Sequence, residues 1–204
     1  MSFVIGRSIE LTSIMPGLVA MAIFFGAGAI QAITLPLERR TGTFKMLLTA
    51  PTTLFTITMG KILAGFFFGI ILSIVYVIIM LPLSPVLNLP LYFIGISFSS
   101  LFFSVFGLFL STPFRDIPQA MPPATVVRIS MVFLCGVFTP LETMPIFLQT
   151  IAYLLPLTYS VDALKQATNI PINIQMFLID LGILFFYSII FLIATIKVLE
   201  RTIE

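Results

Sequence analysis

Apolar positions in this chain come as long unbroken runs. They show neither the alternation of a half-buried strand nor the stripe of a soluble helix. Five runs approach the roughly 20 residues needed to cross a hydrocarbon layer about 30 Å thick: 15–35, 62–81, 91–110, 122–138 and 174–196. The fourth is short and opens on Pro122-Pro123, where proline suits a first helical turn. Between the first two runs lies a charged island, 38–51, holding Glu38, Arg39, Arg40 and Lys45. Within it Phe44, Leu47, Leu48 and Pro51 recur at i, i+3, i+4 and i+7, which predicts a short amphipathic helix in water. Between the last two runs, 139–171, Pro140, Pro145 and Pro156 separate apolar pieces too short to cross. These predict short helices dipping back into the outer leaflet, which a bilayer tolerates only where they pack against protein. The expected fold is all-α and integral to a membrane. It has about five transmembrane helices, a cytosolic amphipathic helix and short outer re-entrant helices in one domain over 1–204.

Composition strengthens this picture. Hydrophobic residues make up 59% of the chain and charged ones 9%, against about 25% charged in a typical soluble domain. Mean hydropathy is +1.19. A net charge of +2, with no basic patch interleaved with aromatics, argues against nucleic acid as a partner. Histidine is absent and Cys135 is the single cysteine. That excludes a disulfide within the chain, a zinc site built from several His or Cys, and the usual His-based nucleophilic catalysis. No catalytic, cofactor-binding or metal-binding residue is expected, and Cys135 is expected to be a small packing residue. Arg7 and the small residues Ala27-Gly28-Ala29 resemble parts of a signal peptide. The first run is too long for one, and Glu38-Arg39-Arg40 follows like a stop-transfer flank, so a retained span is expected.

Lysine and arginine mark cytoplasmic loops. Arg39, Arg40, Lys45 and Lys61 border the first loop, the 82–90 loop carries no charge, and Arg115 follows the third run. Lys197 and Arg201 follow the fifth. The alternation predicts an N-terminus outside and a C-terminus in the cytosol of a prokaryotic plasma membrane. Two charges fall inside the runs. Asp180 is an intramembrane acid and so a functional candidate, or an acid hydrated near the outer edge or paired with Lys165. Arg128 lies about two turns inside the cytosolic edge, from which a long side chain can snorkel to water. Both are candidate pathway or structural charges. Gly65, Gly69 and Ser73, with Ser100 and Ser104, form small-residue faces suited to close packing within the subunit or across a dimer seam. The pairs in Phe66-Phe67-Phe68 and Phe102-Phe103 are expected to face lipid or an apolar pathway.

The island Glu38-Arg39-Arg40-Thr41-Gly42-Thr43, then Leu47 and Pro51, followed by Gly60-Lys61, resembles the signature of type-2 ABC exporter permeases. So do Cys135-Gly136 with Pro140 and Pro145, Leu155-Pro156-Leu157-Thr158-Tyr159 with Ala163-Leu164-Lys165, and Pro16-Gly17. The motifs fall in the family's order, at span boundaries, over nearly the whole chain. The resemblance implies the membrane half of an ATP-driven exporter, similar to the six-span family without its first span. It implies a coupling helix in which Glu38, Arg39, Gly42, Thr43, Phe44, Leu47, Leu48 and Pro51 meet a separate nucleotide-binding subunit carrying ATP and Mg. It further implies an outer re-entrant motif at Gly136, Pro140, Pro145, Pro156 and Tyr159, and a second permease copy or homologue as partner. Lys45, Cys135 and Lys165 depart from the family's usual acid, Ser and Arg.

The chain has no phosphate-binding loop of its own around Gly60-Lys61, because Ile62 follows Lys61 and Phe55 stands where that loop needs its first glycine. From amphipathicity alone, 38–51 serves equally as a helix resting on lipid headgroups, with Arg39, Arg40 and Lys45 against anionic lipid. With so few pathway charges, a hydrophobic or amphipathic substrate (drug-like, lipid or lipid-linked glycan) fits best. The alternatives are a membrane-embedded enzyme, for which no acid and base recur as a pair, and a secondary transporter or channel, for which no internal repeat is visible.

Overall fold

The computed structural model describes residues 2–80, 88–137, 141–168 and 172–203, with the side chains of 14–79, 88–137, 141, 143–168 and 172–201. Eight α-helices and a short 3₁₀ turn at Leu141–Thr143 make up the described chain, which contains no strand. Four helices are long and apolar enough to cross a membrane: Ile14–Thr41 within α1 (Ser2–Thr41), Leu54–Ile79 within α3 (Leu54–Met80), α4 (Leu89–Ser111), and Ile174–Arg201 within α8 (Ile174–Ile203). The all-α membrane fold is therefore present.

Several boundaries differ from the sequence expectation. Pro16-Gly17 lies inside α1 rather than opening it, and α3 starts at Leu54, well before residue 62. The fourth run becomes α5 (Ile117–Leu134), with Asp116 before it and Pro118 in its first turn. Pro122 and Pro123 sit inside that helix, not at its start. At about 1.5 Å per residue, its 18 residues span about 27 Å. With Gln119, Thr125, Arg128 and Ser130 along it, α5 is less apolar than the four long helices.

The core lies where α1, α4 and α8 meet. Phe24, Phe102 and Phe103 are fully buried there, with ring centroids 4.8 Å apart for Phe24–Phe103 and 5.1 Å for Phe102–Phe103. Phe102-Phe103 thus faces the core, contrary to the lipid-facing expectation, whereas Phe67 and Phe68 are exposed. The small-residue faces pack within the subunit. Ser104 and Ser100 of α4 donate to the Ile62 and Phe66 carbonyls of α3 at 2.7 and 2.8 Å. Gly65 and Gly69 leave the room these hydroxyls need. In lipid such interhelical bonds replace the hydrophobic drive that water would supply.

Two helices, α6 (Ile146–Leu154) and α7 (Pro156–Gln166), form a hairpin packed against α5, α8, α1 and α4. Its open end meets the start of α4, where Asn88 N donates to the Ala167 carbonyl at 3.2 Å. Its apex meets Tyr187, roughly 20 Å along α8 from the first residue of that helix. The ends of the helices fall into two groups. Thr41, α2 (Thr43–Thr49), Leu54, Thr112 and Leu199 gather at one end, and Gly17, Asn88, Val137 and the open end of the hairpin at the other.

Candidate functional site

The charged island folds as the end of α1, a turn at Gly42 and the short helix α2. Gly42 adopts φ +79°, the left-handed region that ends α1 and lets the chain turn into α2. Phe44 then inserts into a cluster with Leu35 of α1, Ile62 of α3, Val105 and Leu108 of α4, and Leu199 of α8. Arg39 completes the attachment. Its Nη1 donates to the Thr112 and Phe114 carbonyls at 2.8 and 2.7 Å, satisfying acceptors at the end of α4. Its guanidinium also sits 5.6 Å from the centre of the Phe44 ring. Glu38 pairs with Lys61 at the start of α3, and Gln31 donates to the Lys61 carbonyl.

The apolar face of α2 is turned inward. Phe44 is 5% exposed, Leu47 and Leu48 are half-buried, and Glu38 and Arg39 bond within the subunit. What α2 offers to water is Thr43, Lys45, Met46 and Thr49, with Met46 74% exposed, followed by exposed Pro51. Within the subunit, Phe44 and Leu48 of that face belong to the cluster at this end of the bundle. Two clefts flank α2. One, of about 380 Å³, is lined by Arg39, Arg40, Phe44, Lys45, Leu48, Arg115 and Asp116. The other, of about 480 Å³, runs between α1 and α3 beside Gln31, Glu38, Leu47 and Lys61.

The residues expected to form a re-entrant motif lie at the opposite end. The last carbonyls of α6 lack the intrahelical donors that interior carbonyls have, and side chains supply bonds to them. Thr158 Oγ1 donates to Ala152 O at 2.6 Å, Tyr159 Oη to Tyr153 O at 2.6 Å, and Tyr187 Oη to Leu154 O at 3.2 Å. Pro156 sits in the first turn of α7, where no N–H is required. Pro145 stands just before α6. Gly136 takes φ +77° after α5, a helix-terminating conformation in which any Cβ would also crowd Leu141. Lys165 donates to the Gly136 carbonyl at 3.2 Å rather than pairing with Asp180. Pro140 lies outside the described residues. Burial raises the pKa of Asp162 above its ordinary value, with Lys165 opposing. Thr158 and Tyr187 were absent from the sequence-based site. Their hydroxyls gain significance only once the hairpin exposes its carbonyls.

This arrangement joins a compact helix at one end of the bundle to a proline-punctuated hairpin at the other. Residues 1–169 match the family model described as ABC-2 type transporter. The chain belongs to the ABC-2 type transporter family. Over 158 residues it is 28% identical to the "Probable multidrug ABC transporter permease YbhR" of Escherichia coli K12, covering 75% of this chain and 42% of that relative. Over 136 residues it is 31% identical to the "Inner membrane transport permease YhhJ" of the same strain, covering 64% of this chain and 36% of that relative. The chain thus spans less than half the length of these curated relatives. Family membership and four apolar helices make this ABC-2 chain a multi-pass membrane protein.

The two charges inside the ABC-2 bundle have separate settings. Arg128 does not snorkel. It is 7% exposed, and its Nη2 donates to the Gly28 carbonyl of α1 at 2.8 Å. A position about three turns into a helix places such a side chain beside whichever neighbour packs there, which the sequence cannot name. Asp180 lies half-buried on α8. Among the described residues the salt bridge found is Glu38–Lys61, and no cluster of three or more His, Cys, Asp or Glu could hold a metal.

Proposed function

We propose that this chain is the membrane-spanning subunit of an ATP-driven exporter, in which α2 receives force from a separate ATP-binding subunit. The observation that carries this is the insertion of Phe44 among residues from α1, α3, α4 and α8. A push on α2 passes to α1, against which it packs, and through the shared cluster to the other helices, because close-packed cores transmit displacement. The contact surface for the partner is the outward face Thr43, Lys45, Met46, Thr49 and Pro51, with Gly42 as the pivot.

The cations Arg39, Arg40, Lys45, Lys61, Arg115, Lys197 and Arg201 belong to the α2 end, so this reading sets that end in the cytosol of a prokaryotic plasma membrane. The α6–α7 hairpin then dips into the outer leaflet. Two copies, or one copy and a homologue, form the translocation pathway, and ATP and Mg bind only to the partner. A hydrophobic or amphipathic substrate suits a bundle with few internal charges, and the word "multidrug" in one relative's name agrees with this.

The test is coexpression with an ATP-binding-cassette subunit encoded beside the chain. The paired change Lys45→Glu and Met46→Asp should abolish copurification while leaving the melting temperature of the isolated membrane subunit unchanged. A complex that persists with coupled ATPase activity would refute the docking of α2.

A further inference from the structure

The cleft of about 380 Å³ beside α2 has an uneven chemistry. Four cations line it: Arg39, Arg40, Lys45 and Arg115. Phe44 and Leu48 give it an apolar floor, and Asp116 is the acid at its rim. Arg39 and Arg115 repel one another. While Nη1 of Arg39 is bound to two carbonyls, its Nη2 is buried with no hydrogen-bond partner among the described residues. A cleft lined by four cations and one acid favours an anion as its occupant. The cleft also sits where two crossing helices end, at Thr41 and at Ser111–Thr112, which is the depth of lipid headgroups.

We propose that this cleft binds the headgroup of an anionic membrane lipid. The phosphodiester meets Arg40, Lys45 and Arg115 beside the Arg39 guanidinium, the glycerol backbone lies over Phe44 and Leu48, and Asp116 accepts from a hydroxylated headgroup such as that of phosphatidylglycerol. Basic pockets between membrane helices on the cytoplasmic side have the charge and depth for this ligand. Lipid bound there braces α2 against the α4–α5 turn, and so sets how firmly the helix is held. The inference needs only that the helices lie in a membrane. It stands if the ATP-coupled reading of α2 fails.

The experiment measures binding of phosphatidylglycerol to the full chain in detergent by native mass spectrometry, with phosphatidylcholine and inorganic phosphate as separate arms. Lys45→Gln with Arg115→Gln removes two exposed cations of the cleft and leaves the Arg39 anchor intact. Lys197→Gln with Arg201→Gln removes two exposed cations outside it. Wild type should prefer phosphatidylglycerol to phosphatidylcholine. The cleft pair should bind it about thirtyfold more weakly, and the control pair should match wild type. Equal weakening in both pairs would reduce the effect to general surface charge and overturn the site. Inorganic phosphate competing as well as lipid at equal concentration would make it a free-anion site instead. Unchanged lipid binding in the cleft pair, with loss of the ATP-binding subunit, would make the cleft a protein contact and also overturn the proposal.

Discussion

Arg128 reaches from α5 to donate to the Gly28 carbonyl of α1 at 2.8 Å, at the level where Gly28 and Gly107 bring α1 and α4 into backbone contact. A Cβ on Gly107 would strike the Gly28 carbonyl and Cα, whereas a Cβ on Gly28 would meet the Phe103 carbonyl at 3.5 Å, an ordinary contact. The contact is therefore asymmetric, and α4 needs the glycine more than α1 does.

Gly107→Ala should destabilise the subunit by about 1–3 kcal/mol, because the obstructing atoms are backbone and cannot turn aside. Gly28→Ala should fall within about 1 kcal/mol of wild type, since alanine also favours the helix. Thermal unfolding in detergent distinguishes the two, and equal losses would contradict the asymmetry.

Thr158→Val keeps the shape of the side chain but removes the donor to Ala152 O inside the hairpin. The carbonyl then keeps only the Leu155 N–H as donor at a fully buried position, at a cost of about 0.5–1.5 kcal/mol. Thr158→Ser should retain most of the stability. A melt in which the Val and Ser variants behave alike would remove the hydroxyl from the account.

Phe44→Ala should cost about 3–5 kcal/mol, the usual range for emptying a buried aromatic site. Met46→Ala, two residues on and 74% exposed, should change stability by less than about 0.5 kcal/mol. Protease sensitivity at the 38–51 island, alongside melting, should report the first change and not the second.

Burial raises the folded-state pKa of Asp162, so ionisation is harder in the folded protein than in the unfolded one. Below the unfolded-state value both states hold the proton and the residue exerts no penalty. The penalty builds as pH rises from that value through the folded pKa, and is complete above it. Asp162→Asn should therefore melt higher than wild type at neutral pH and alike in acid. A pH series of melting temperatures with a constant offset would refute this.

Legibility differed by level. Runs such as 91–110 and 174–196 announced crossing helices because only apolar stretches of that length suit hydrocarbon, and α4 and α8 contain them. Gly42 and Gly136, the positive-φ positions among the described residues, stood out only as motif glycines and not as turns. The facing of side chains was not legible either. Phe67 and Phe102 look alike in sequence, yet one is 59% exposed and the other fully buried. In a chain apolar on every side, hydropathy does not tell the lipid face from the protein face.

Sequence alone determined that this is an all-α membrane protein with a charged island between spans, because those properties follow from composition and local spacing. Tertiary structure decided what the island's apolar face covers. Phe44 and Leu48 fit a partner's groove as well as a cluster from α1, α3, α4 and α8, and only packing seats Phe44 in the second. It likewise decided that Arg128 turns inward to Gly28 and that Thr158 and Tyr187 complete the hairpin. Each of these depends on residues tens of positions apart or on a neighbouring helix arriving at one depth, which no local pattern encodes.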